Sequence, residues 1–134
     1  MPPMINRKDA LLTKTKPLPN GAATIVSDPI SLGKGPKLAK GELVVEIPKL
    51  LTALLPDGQT VTYTIEACAV VGFGSGVVSY SLGAVQTGAG GAGAAAQTKR
   101  FKPPSDGLEF WRAKAVKTGA ADASGASLEL TYRT

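Results

Sequence analysis

The stretch Gly88-Ala89-Gly90-Gly91-Ala92-Gly93 spells G-x-G-x-x-G, the spacing that lets a strand-to-helix turn bring its backbone N–H groups against a pyrophosphate. That chemistry needs a context: a strand before the glycines, an amphipathic helix after them, and an acidic residue about 20 positions on for the ribose. Leu82-Gly83-Ala84-Val85-Gln86 supplies the first and Glu109 the last, but the middle fails. Residues 94–101, AAAQTKRF, have no apolar face to pack on a sheet, Pro103-Pro104 follow within about ten residues of where a helix would begin, and too little chain remains for a doubly wound sheet. The glycines are therefore expected to form a turning loop between two strands, with no cofactor.

Other catalytic chemistries lack their parts. The chain has no histidine, which removes Ser-His and Cys-His pairs and any H-E-x-x-H zinc helix. Ser75 lies in FGSGV, which misses the G-x-S-x-G elbow at both outer positions. Asp57, Asp106 and Asp122 sit beside or near glycine, where turn formation accounts for them. The single cysteine, Cys68, excludes an intrachain disulfide and is expected to be a packed thiol. The reading is a protein without catalytic, cofactor-binding or metal-binding residues, and not an enzyme.

The elements that would position any surface chemistry are strands. At 134 residues the chain has room for one core, and its 16 glycines and 10 prolines favour turns over long helices. In ELVVEI, Leu43, Val45 and Ile47 share one face against Glu42 and Glu46. In QTVTYTIEA, Val61, Tyr63, Ile65 and Ala67 alternate with Thr60, Thr62, Thr64 and Glu66. VVSYSLGAVQ reads as a strand bent at Gly83, and AATIVS, QTKRFK, LEFWRAKAV and SLELTYR read as further strands. PKLLTALLPDG has leucines at helical spacing, but Pro48 and Pro56 leave room for only a turn or two. Seven or eight short strands predict an all-β fold, an antiparallel β-sandwich or jelly roll, with Val61, Tyr63, Ile65, Leu128 and Leu130 in its core.

Charge divides the chain. Residues 1–40 hold seven basic and two acidic side chains, and the remainder holds eight of each. With Pro17 and Pro19 biasing the backbone toward extension, residues 1–21 read as an extended basic N-terminal arm and residues 22–134 as the body. Ile5, Leu11 and Leu12 have no place in the strand pattern, so they and Arg7, Lys8, Lys14 and Lys16 are the candidate contacts with a partner surface. Lys99, Arg100 and Lys102 around Phe101, and Arg112, Lys114 and Lys117 after Trp111, would suit single-stranded nucleic acid, but the body is neutral and its few aromatics are wanted in the core. Residues 67–98 carry no charge, yet glycines interrupt them too often for a membrane span, and the N-terminus lacks an export signal, so assembly in the cytoplasm is expected.

Three segments carry a resemblance: LPNGAATIVSDPISLG, LPDGQTVTYTIE and AVQTGAGGAGAAAQTKRFKPP. In this order they resemble the small capsid cement, or head decoration, proteins of tailed bacteriophages, the group represented in Bordetella phage heads. The resemblance implies a jelly-roll body, self-association as a dimer or trimer, and attachment to the outside of a shell of HK97-type major capsid protein, with no cofactor and no membrane. The chain departs from that pattern at ACAVVGFGSGVV, where relatives have a more polar turn, and at LEFWRAKAV, where they have an arginine-rich strand. Another phage structural part, such as a head-completion or tail component, and a nucleic-acid-binding β-domain are the alternatives.

Overall fold

A computed structural model describes residues 13–32, 41–104 and 108–133. The described residues form nine strands and no helix: β1 (Thr13–Pro17), β2 (Ala23–Val26), β3 (Ile30–Ser31), β4 (Glu42–Ile47), β5 (Thr60–Cys68), β6 (Val78–Thr87), β7 (Gln97–Phe101), β8 (Phe110–Lys117) and β9 (Ser127–Arg133). They pair antiparallel in two sheets, β1-β9-β4-β7 and β2-β8-β5-β6, with β3 also on β8.

Alternation explains which face each sheet buries. Val61, Tyr63, Ile65 and Ala67 of β5 meet Leu43, Val45 and Ile47 of β4 and Leu128 and Leu130 of β9 in one apolar cluster, and the five residues expected in the core are all buried. The arrangement is sandwich-like, with the two inner faces sharing that cluster. Trp111 is fully buried among them, its indole N–H donating to the Leu108 carbonyl at 2.7 Å. It forms a ring cluster with Tyr80 and Phe101, so two of the aromatics that could have stacked on nucleic acid are committed to packing.

The boundary expected at residue 21 moves toward the N-terminus. β1 pairs with β9 over five residues, Leu18 is buried and donates its N–H to Ala126, and Asn20 bridges Asp122. Pro17 suits this placement because an edge strand ends there and its missing N–H leaves no ladder bond unmade. Residues 13–20 thus belong to the body. Ile5, Arg7, Lys8, Leu11 and Leu12 lie outside the described residues, as does Asp106.

The glycine segment joins β6 to β7, two strands, where a nucleotide-binding turn would require a helix. Gly90, Gly91 and Gly93 have φ of 61°, 69° and 69°, the left-handed region that glycine enters freely. Gly88 and Gly93 press against Pro56 and Leu50 so closely that a Cβ would overlap backbone carbonyl oxygens. Gly88 donates to the Gln59 carbonyl, Gly58 to the Gly88 carbonyl, and Gly91 to the Asp57 carboxylate at 2.9 Å. The glycines serve close packing between two loops, and Asp57 anchors the turn.

Candidate docking surface

Four basic side chains of the body, Arg100, Arg112, Lys114 and Lys117, are held by local partners. Arg100 pairs with Glu42 across β7 and β4. Arg112 and Lys114 reach the two oxygens of buried Glu66 at 2.8 and 3.5 Å, and the Arg112 guanidinium lies 4.0 Å from the centre of the Phe73 ring. Lys117 is buried, and its ammonium donates to the Gln59 side-chain oxygen at 3.0 Å and to the Thr118 and Gly119 carbonyls at 3.2 Å. Burial lowers its pKa, partly offset by Asp122. Asp122 lies below the ordinary carboxylate range because Ser124 donates hydrogen bonds to it. An ammonium with its three protons bonded is a corner tie, not a free cation.

Lys14 and Lys16 stand opposite Leu130 and Leu128, so they lie on the core-facing side of β1 at the rim. Lys99 holds the equivalent place on β7, opposite Val45. One row across this sheet therefore runs Lys14, Leu130, Val45, Lys99, charged at both ends. Inward-pointing lysines on edge strands hinder pairing with another sheet, because a docking strand would bury their charge.

The buried polar groups tie elements together. The Tyr63 hydroxyl donates to Gln86 Oε1 at 2.6 Å, and Gln86 Nε2 donates to the Pro48 and Ala95 carbonyls at 2.7 and 3.0 Å. Burial raises the Tyr63 phenol well above its ordinary value. Cys68 is buried, its thiol 3.1 Å from the Ser75 carbonyl, so the cysteine and the serine weighed for catalysis meet as a structural contact. Among the described residues no group of three or more His, Cys, Asp or Glu side chains is placed to hold a metal ion. No helix of the described residues is long and apolar enough to cross a membrane. A wide, shallow depression of about 510 Å³ lies beside Glu46 and Glu129, cross-strand neighbours on the outer face of the first sheet.

Exposed large apolar side chains gather on the second sheet. Val70 and Val71 stand at the tip of the β5–β6 hairpin, Val77 and Val78 where β6 begins, and Val85 and Val116 on the outer face in the row Thr24, Val116, Thr62, Val85. The tip is held by its own underside: Phe73 is buried with φ of 52°, a conformation costly for a side chain with a Cβ, and its N–H donates to Val70. Sequence reasoning noticed that residues 67–98 lack charge but did not place their valines outward. Four valines flanking FGSG read equally as core or surface until the fold shows which face Phe73 takes. Comparisons with protein-family models, curated proteins and solved structures returned no match.

Proposed function

We propose that this chain is a structural protein of a phage particle, a capsid cement protein that binds the outer surface of an HK97-type shell and strengthens contacts between major capsid subunits. Its body would then be a β-sandwich of the jelly-roll type, self-associated, and located on the virion exterior. The observation that carries this reading is the division of the surface. Arg100, Arg112, Lys114 and Lys117 of the body are engaged locally, whereas uncharged valines stand exposed on one sheet and its hairpin tip. Such a surface is suited to adhesion by apolar contact. The resemblance of three segments to capsid cement proteins is the second support for this reading.

Residues 1–12 supply further contacts in this reading. Ile5, Leu11 and Leu12 would each contribute about 1.5 to 3 kcal/mol if fully buried on the shell, more than exposed ion pairs from Arg7 and Lys8. Repetition over the lattice multiplies weak contacts through effective concentration. The test is co-sedimentation with shells assembled from major capsid protein alone. The full chain should pellet with them, and deletion of residues 2–12, which stops before β1, should reduce occupancy without lowering the melting temperature. Leu11→Asp with Leu12→Asp should weaken attachment more than Arg7→Ala with Lys8→Ala, and only the latter effect should fade with salt. Failure of the full chain to bind any such shell would overturn the proposal.

A further inference from the structure

We infer that β6 is the self-association edge of this protein, pairing antiparallel with β6 of a second copy about a two-fold axis at Tyr80. The argument begins with the other edges. β1 carries Lys14 and Lys16 facing inward and ends in Pro17; β7 carries Lys99 between exposed Thr98 and Arg100; β2 and β3 are short and separated by Asp28-Pro29. Each is blunted by a device that natural sheets use against unwanted pairing. β6 is ten residues long, terminal in its sheet, and has neither a charge nor a proline.

The backbone of β6 is presented for pairing. Thr60 accepts a hydrogen bond from Thr118 next to β8, so even-numbered residues of β5 turn their backbone groups toward β8. Ser81 and Ser79 stand opposite Thr64 and Glu66, and therefore turn their own N–H and C=O groups to the open side. Beyond the bulge at Gly83 the edge is already engaged, because the Gln97 side chain donates to the Val85 carbonyl at 3.3 Å. Among the described residues the available run is Val78–Leu82, flanked by Val77 and by Gly83, whose N–H already donates to the Ser81 hydroxyl at 3.1 Å.

That run has the symmetry of a two-fold partner. Val77-Val78-Ser79-Tyr80-Ser81-Leu82-Gly83 reads nearly the same in both directions about Tyr80. Antiparallel pairing centred there sets Ser79 against Ser81 of the second copy, Val78 against Leu82, and Val77 against Gly83. A Cβ built on Gly83 meets nothing within 4 Å, which leaves space for the valine. Exposed Val77 and Val78 gain cover in the dimer, and no charge is buried. Tyr80 is fixed against Phe101 and Trp111, 4.9 and 5.5 Å between centroids, so the axis falls on a rigid part of the strand.

This inference does not rest on capsid attachment, and its test uses the chain without a shell. Light scattering after size exclusion should show a dimer that dissociates on dilution. Ser79→Lys with Ser81→Lys faces lysines across the strand pair and should weaken dimerisation by about tenfold or more. Because that variant could disturb the bulge, a second measurement uses Ser79→Cys and Ser81→Cys as separate proteins, with Cys68 buried in both. Under mild oxidation, disulfide-linked dimer should form in the mixture and not in either variant alone. A strictly monomeric wild type, a dimer indifferent to the lysines, or cross-linking of Ser79→Cys to itself would overturn the inference.

Discussion

The two sheets are built from similar strands but finish their edges differently. In β1-β9-β4-β7, an apolar inner row ends in Lys14 on one side and Lys99 on the other. In β2-β8-β5-β6, the equivalent row runs Ile25, Ala115, Tyr63, Ala84 and ends without charge. Core formation needs only the central positions of such rows, which are alike in the two sheets. The terminal positions are where a sheet specifies whether it stops. The first sheet is closed to neighbours, and the second is left open along β6.

The strongest way to break the contrast is to loosen the support beneath β6. Trp111→Ala should cost about 3–5 kcal/mol in denaturant unfolding, since it removes the largest fully buried side chain and the ring against Tyr80. Gln86→Leu should come next at about 2–3 kcal/mol, because it strands the Tyr63 hydroxyl and the Pro48 and Ala95 carbonyls without partners. A loss below half a kcal/mol would mean that water replaces the side-chain amide there.

Tyr63→Phe should cost about 1 kcal/mol at neutral pH and also change the alkaline limb. The phenol's folded pKa is raised above the ordinary 10.0, so its stabilisation is complete below pH 10 and declines as the unfolded chain ionises above it. Stability measured from pH 8 to 11 should therefore fall less steeply in Tyr63→Phe than in the parent. The smallest stability effect belongs to the guards. Lys14→Val, Lys16→Val and Lys99→Val together should shift monomer stability by about 1 kcal/mol or less. They should nevertheless cause higher-order association by light scattering, through the edges now left apolar.

Much of this was legible in the residues. Period-two alternation located β4, β5 and β9 and their buried faces, because a half-buried strand cannot hide its pattern. Gly83 announced a bend and is a bulge. The glycine fingerprint was readable as a loop because residues 94–101 have no helical apolar face and Pro103-Pro104 stand just beyond them. β1 was not legible as part of the body. TKTKP looks like a solvated arm for the same reason that it works as an edge, since lysine and proline are what protect an unpaired strand. The burial of Glu66 and Lys117 was hidden too, for their partners Arg112 and Gln59 come from distant segments. The adhesive run of β6 carries no charge, and only the guarded edges around it make its neutrality informative.

Hydrogen exchange of the unmodified chain in dilute and concentrated solution tests the edge contrast most directly, because it reads all strands in one experiment. The account predicts that the amides of Ser79 and Ser81, which face the open side, exchange more slowly as concentration rises, while those of β1 and β7 keep their rates. Concentration-dependent protection of β1 or β7, or none at β6, would contradict it.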